Sequence, residues 1–343
     1  MSIRRLAIAR ALSAVLICAS TAPAQVEPVS TAEIDVTDES WRRPLGSRNQ
    51  SPLALLFIYM TPDHARAIEG GGLQLDVVFD YSNIIQEQST ETERVRFDLE
   101  YLRTLVALKR GFGSGLELGF SVPFYVYYGG FLDPLVSSFH EGLGLPNRLR
   151  GETPYGLVDY QYRRGDEVVL SGQDSFGAVG DVTFDVKKMV LDRGLYSLAV
   201  RGALKLPTGD PQNLSGSGAT DFGLGLAFDR VGERFGLYFN ANYHFLGTTE
   251  ELETRDFFSF VAAVDWRIKR RLAAILQLDY MRPPLAGELS LLNDSAKQIA
   301  LGLRFGYSEK FVYEWRLVED LSSFSPDFTF AFEMGIRFPG GCR

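Results

Sequence analysis

The chain has 343 residues, of which 45% are hydrophobic and 23% charged, with a formal net charge of −8. So apolar a composition excludes an intrinsically disordered chain, and after residue 25 no run approaches the ~20 apolar residues of a membrane-crossing helix. The acidic balance makes nucleic acid a poor partner. The 34 glycines, 15 tyrosines and 25 phenylalanines suit short strands and tight turns, so an all-β fold is the expectation.

In chain order, residues 1–24 read as a secretory signal: basic Arg4, Arg5 and Arg10, an apolar stretch from Ala11 to Ile17, and small residues ending at Ala24. Bulky Ile17 before Cys18 argues against a lipoprotein signal. Cleavage after Ala24 leaves Cys342 as the only cysteine, so an internal disulfide is excluded, and Pro339 to Arg343 supply no neighbours for a reactive thiol. Residues 25–70 form an N-terminal segment, periplasmic or plugging. Within it, 48–62 carry the apolar run Leu53 to Met60, readable as a plug, a wall-lining piece or an extra strand.

From Leu73 onward, period two dominates. Leu73, Leu75, Val77, Phe79 and Tyr81 alternate with mostly polar neighbours, as do Val95, Phe97, Leu99 and Tyr101. After Tyr101 the apolar set changes parity to Leu102, Thr104, Val106 and Leu108, which reads as a β-bulge. Later segments repeat the pattern. In the last, Phe328, Phe330, Phe332, Met334, Ile336 and Phe338 form one face. A soluble sandwich rarely needs six large apolar residues on one face of its final strand, whereas a lipid-facing wall does. Tyr81, Tyr128, Trp266, Tyr280, Tyr307 and Trp315 stand near strand ends, where interfacial aromatics belong.

Short turns near 111–114, 191–194, 231–233, 269–271 and 308–309 alternate with longer loops. Together they predict strands at about 73–82, 93–110, 115–128, 177–190, 195–207, 217–230, 234–247, 254–268, 271–282, 295–307, 310–320 and 327–338. The expected fold is thus a transmembrane up-and-down antiparallel β-barrel over residues 71–338, of about 12 strands with 14 as the alternative, and a tail at 339–343. Residues 129–176 form a long excursion on the outer side, with a short helix expected at Pro134 to Gly142 and a hairpin across Arg164-Gly165-Asp166.

Chemistry is sparse. His64, His140 and His244 stand alone without metal-binding spacing. A lipid-hydrolysing barrel with a serine two residues after its histidine is not matched, since positions 66, 142 and 246 are Arg, Gly and Leu. The run Lys205-Leu206-Pro207-Thr208-Gly209-Asp210 looks like a phosphate loop, but strand alternation resumes after it, so turn chemistry is the better account. Charges of both signs fall on the expected lumen, among them Asp76, Asp80, Arg96, Asp98, Glu100, Asp265, Asp279, Arg304, Glu314, Arg316 and Glu333. They suit either an ion-paired filling or a polar path for a solute, and twelve strands do not decide between the two.

The series Arg48-Asn49-Gln50-x-Pro52, Asp80-Tyr81-Ser82-Asn83, Gly129-Gly130-Phe131-Leu132-Asp133, Phe139-His140, Gly144-Leu145-Pro146, Lys205-Leu206-Pro207-Thr208-Gly209 and Gly216-Ser217-Gly218-x-Thr220-Asp221 resembles the bacterial family known as domain of unknown function 3187. The resemblance runs from about residue 45 to the end and implies an outer-membrane barrel without an established activity. Such barrels usually finish on an aromatic residue read by the barrel-assembly machinery; here Phe338 is followed by five more residues.

The leading functional expectation is a gated or plugged channel in the outer membrane of a Gram-negative bacterium, carrying a small molecule, amphipathic ones included. Phe131, Asp133, His140, Arg201, Lys205 and His244 are the expected mouth and lumen contacts. No cofactor or metal is expected. Expected partners are outer-membrane lipids, the assembly machinery and a small-molecule ligand. The competing classes are a lipid-acting hydrolase and a structural or adhesive barrel without transport.

Overall fold

The computed structural model describes residues 41–134, 137–138, 141, 154–249, 252–322, 324–326 and 328–340. Fifteen strands carry the fold: β1 (Leu73–Ser89), β2 (Glu93–Gly111), β3 (Leu116–Tyr128), β4 (Asp159–Arg164), β5 (Glu167–Gly172), β6 (Phe176–Val179), β7 (Val182–Arg193), β8 (Tyr196–Leu206), β9 (Asp221–Val231), β10 (Phe235–Phe245), β11 (Phe257–Lys269), β12 (Leu272–Met281), β13 (Ala296–Gly306), β14 (Phe311–Asp320) and β15 (Phe328–Phe338). Twelve of them, β1–β3 and β7–β15, pair antiparallel in sequence order; β3 joins β7, and β15 returns to β1 with Leu73 opposite Phe338. The ring has no free edge. In hydrocarbon each unpaired backbone group costs several kcal/mol, so closure is what lets strands cross a bilayer.

The three remaining strands stand outside the ring. β4 pairs with the far end of β2 (Val95 opposite Tyr162), β5 adds to β4, and β6 pairs with the far end of β3. The hairpin expected across Arg164-Gly165-Asp166 is therefore β4–β5. It extends β2 beyond the ring and does not enter the wall, so the 14-stranded alternative gives way to twelve. Residues 48–62 likewise form no strand. They contain one helical turn, α1 (Pro52–Leu55), started by Pro52 at its first position and by the Asn49 side chain accepting from Ser51 N at 2.8 Å. Of the helix expected at 134–142, the described residues Pro134, Ser137, Ser138 and Glu141 are helical.

The alternation sorts as the period demands. Val186, Val200, Leu226, Phe239, Phe260, Leu301, Leu317 and Phe330 are exposed on the outer surface, while Asp80, Arg103, Glu117, Lys187, Asn240, Gln277, Arg304 and Arg316 are buried inside. A soluble protein would carry the reverse; lipid supplies the missing apolar partner.

One expectation is corrected. The parity change after Tyr101 is not a bulge: β1 and β2 keep one continuous register from Leu73 opposite Arg110 to Ser89 opposite Arg94. What changes is the surroundings. Leu102, Thr104, Val106 and Leu108 face outward, whereas Val95, Phe97, Leu99 and Tyr101 face inward and are fully buried in an apolar cluster at the long-loop end. β1 runs seven residues past its expected end for the same reason, with Ile84 joining that cluster. Arg96, Asp98 and Glu100 consequently share the outward side of β2 and do not line the lumen.

A true irregularity occurs between β6 and β7. Pro123 has no N–H to give, and Gly180 O is taken by the Thr208 hydroxyl at 3.1 Å in place of a β3 donor. Asp181 turns inward there and accepts from Lys205 Nζ at 2.5 Å and from Gly209 N at 2.7 Å. The Leu-Pro-Thr-Gly motif is thus a turn that braces a break in the wall, in agreement with the turn reading of that segment. Gly216 is required for close approach, since a Cβ would lie 2.4 Å from Asp181 Oδ1.

Candidate functional site in the filled lumen

The N-terminal segment runs inside the ring and doubles back. At the short-turn end Trp41 Nε1 donates to Glu309 O, and the Arg42 guanidinium forks onto Asp265 at 2.6 and 3.1 Å. The chain then ascends past β12, where Leu45 N meets Gln277 Oε1 at 2.8 Å and Ser47 Oγ meets Asp279 at 2.5 Å. Near the long-loop end Asn49 Nδ2 holds Phe324 O at 2.7 Å, and α1 reverses the direction. The descending limb follows the opposite wall. Ile58 N donates to Asp221, Met60 N to His244 Nε2 at 3.2 Å, Asp63 N to Asn240 at 3.0 Å, Ala65 N to Asp229 at 2.6 Å and Ile68 N to Glu117 at 2.9 Å. Five backbone amides of an irregular strip are therefore satisfied by polar side chains of the wall. A strip lacking its own secondary structure can be buried only with such partners.

Ion pairs complete the seating. Arg43 bridges Asp76 and Glu333, Asp63 receives Lys109 at 2.8 Å and Lys187 at 3.1 Å, and Lys187 also reaches Glu117 at 3.1 Å. The wall has its own lattice, with Arg316 shared by Asp80, Glu314 and Glu333, and Arg304 paired with Glu314. Unpaired charges at this depth would be costly, so the ion-paired filling weighed from sequence is physically present.

Above the segment lies an apolar cap. Leu53, Leu55, Leu56 and Phe57 pack with Phe97, Tyr101, Tyr125, Tyr127, Tyr160, Tyr162, Leu214, Leu289 and Leu292. The phenols at its edge find acceptors: Tyr127 on Leu214 O at 2.7 Å, Tyr160 on Gln212 O at 3.0 Å, and Tyr101 on Gln50 O. Burial, with Asp210 adding to it, raises the Tyr160 phenol above its usual range and keeps it a donor.

Below the cap two small cavities remain between the segment and the wall of β2, β3 and β7. One of about 80 Å³ is lined by Arg43, Asp63, Lys109, Asp185, Lys187 and Arg201. The other, about 50 Å³, is lined by Arg48, Tyr59, Arg103, Tyr125, Thr183 and Asp185. Leu105, Ser121 and Asp185 border both, so the spaces adjoin along one side of the lumen.

The residues singled out from sequence separate into three groups. Arg201, Lys205 and His244 face the lumen, but each holds the N-terminal segment: Arg201 donates to Thr61 O at 2.7 Å, Lys205 to Leu56 O at 3.1 Å, and His244 stacks on Phe257 at 4.3 Å while accepting from Met60 N. Phe131 and Asp133 lie instead with Glu100 on the outward side of β1 and β2, where Glu100 gathers Tyr81 OH, Asn83 Nδ2, Phe131 N and Leu132 N. Phe131 is 72% exposed against Tyr81, and Asp133 accepts from Gly156 N at 3.0 Å, anchoring the excursion. His140 falls outside the described residues, as do Cys342 and the signal segment. Missed by the sequence reading were Arg42, Arg43 and Asp63 and their wall partners Lys109, Glu117 and Lys187. The last three stand at lumen parity on the expected strands, which was the available signal. Among the described residues no cluster of His, Cys, Asp or Glu has metal-binding geometry.

A closed ring of twelve strands, oily outside and charged within, defines an outer-membrane-type β-barrel. In sequence the chain belongs to the family described as protein of unknown function DUF3187, whose model matches residues 23–338. Comparison with curated proteins gives no match. Among solved structures it is similar to the COG4313 outer membrane channel from Pseudomonas putida F1, with a TM-score of 0.54 and 14% identity over 82% of this chain and 100% of that one. The NanC porin (TM-score 0.43, 8% identity, 77% and 98% covered) and the CymD monoaromatic hydrocarbon channel (0.39, 9%, 79% and 89%) are more distant.

Proposed function

We propose that the protein is an outer-membrane channel for a small polar or amphipathic solute, exported through a cleaved signal peptide, and that residues 41–70 are its plug. The short-turn end faces the periplasm and the long-loop end the exterior. The carrying observation is how the segment is held. It contacts the wall through side-chain hydrogen bonds, ion pairs and apolar packing and, over its described residues, does not join the sheet, so it can leave without opening the ring. Water-accessible space already persists along β2, β3 and β7, lined by charges that suit a hydrated solute. The solved channel of similar fold supports the reading as an analogy of architecture.

The test is conductance in planar bilayers. The full chain is expected to be nearly silent, and a variant lacking residues 41–66 to show steady channels. Deleting 129–176 removes the hairpin part of the cap and is expected to raise conductance less. Silence from both deletions, in protein that is folded and inserted, refutes the reading. A lipid-acting hydrolase draws no support from His244, which is enclosed between Tyr59 and Phe257.

A further inference from the structure

The outward face of the wall is not uniform. Ala241 on β10 stands between Leu226 on β9 and Phe260 on β11, and one row nearer the long-loop end Tyr243 stands between Leu224 and Phe258. A single methyl group among five large side chains leaves a notch. These residues, with Val200 beyond Leu226, line a groove of about 590 Å³ on the lipid-facing surface.

The rim of the groove toward the long loops carries positive charge. Arg282 N donates to Phe258 O at 3.0 Å, and the Arg282 guanidinium stands 5.6 Å over the Phe258 ring. In the next row Phe260 pairs with Tyr280, and Tyr280 with Lys297 on β13. Arg255, just before β11, feels the Arg282 charge, which together with burial lowers its guanidinium below the usual range. All three side chains are exposed. Among the described residues no carboxylate comes within ion-pairing distance of them: Asp256 accepts from Leu246 N at 2.9 Å, Glu253 reaches Arg164 at 3.9 Å, and Glu319 stands opposite Ile299. Arg94 and Arg96 on the outward side of β2 are, by contrast, both paired with Glu87.

We propose that this surface seats one phosphorylated lipid, an acyl chain lying over Ala241 and the headgroup phosphates on Arg255, Arg282 and Lys297. An apolar groove that ends at unpaired cations, level with the interfacial rings of Phe258 and Tyr280, matches the two ends of one amphiphile. Neighbouring strands lie about 4.8 Å apart, so β11 to β13 spread the charges over about 10 Å. That span exceeds one phosphate and suits a sugar headgroup carrying two, each met by charge-assisted hydrogen bonds. Placing the lipid in the outer leaflet rests on the orientation proposed above, with the long loops outside; the site itself does not.

The probe is diphosphoryl lipid A, titrated into the full chain in detergent and counted per barrel by native mass spectrometry. Saturable binding of one copy is expected. It should weaken at least tenfold when both phosphates are removed from the lipid, and as much in the triple variant Arg255→Gln, Arg282→Gln, Lys297→Gln. Ala241→Phe fills the notch and is expected to weaken binding with every charge intact. Each variant is checked for folding by heat-modifiable migration on a gel. Two arms need no variant: inorganic phosphate in tenfold excess should leave the lipid bound, and phosphatidylglycerol, with its single phosphate, should bind at least tenfold more weakly. Equal binding of the phosphate-free lipid, equal binding by the triple variant or by Ala241→Phe, displacement by inorganic phosphate, or parity with phosphatidylglycerol overturns the site. Those results leave the channel reading standing, because deletion of residues 41–66 tests that separately through conductance.

Discussion

Asp63 is the carboxylate on which the descending limb of residues 41–70 converges, and Asp63→Ala measures how firmly the limb is seated. Its carboxylate takes Lys109 at 2.8 Å and Lys187 at 3.1 Å, and the second of these also has Glu117 at 3.1 Å. Truncating one member of a buried ionic cluster costs about 3–5 kcal/mol, because the partners stay buried without compensation. Lys187 keeps Glu117 and the Lys109 side chain is 23% exposed, so the lower end applies, about 3 kcal/mol. At 1.4 kcal/mol per decade this shifts the balance between seated and displaced plug by roughly 100-fold. Single-channel recording reads that shift as open probability, expected to rise by about two decades. Adding Lys109→Met should return part of the closure, since that lysine then no longer stands without its carboxylate, whereas Lys187 keeps Glu117. An Asp63→Ala protein that inserts normally and keeps the open probability of the parent within twofold refutes the electrostatic seating.

Other outcomes follow from the anchors of the excursion and of the wall. Glu100→Ala removes the acceptor for Phe131 N and Leu132 N, at 3.1 and 2.7 Å, and for Asn83; limited proteolysis should then cut within 129–176 at least tenfold faster, and unchanged cutting argues against that anchor. Gly130→Ala should behave alike, because φ is +74° and a Cβ would lie 1.9 Å from Glu100 Cδ. Lys205→Met strands Asp181 and Asp221 and is expected to cost about 3 kcal/mol or more. It should lower the temperature at which the folded band disappears from a gel, and an unshifted band would speak against the brace.

The barrel was legible because lipid and water leave a period-two imprint that no neighbour is needed to read. Phe330 and Phe332 against Thr329 and Glu333 tell the inside from the outside in the linear chain, and twelve strands with their short turns emerge from counting. The same imprint misled at Tyr101. An apolar residue facing lipid and one facing a dry cap look identical in sequence, and only the register of β1 against β2 shows that the backbone never bulges. The site was hidden for a related reason. Residues 41–70 bury themselves by borrowing hydrogen bonds from Gln277, Asp221, Asn240 and Glu117, which lie 49 to 232 positions away. Such partners share no local pattern. Strand parity therefore determined which side chains point to the axis, whereas what they hold there was decided by the folded ring bringing distant polar groups around an irregular strip.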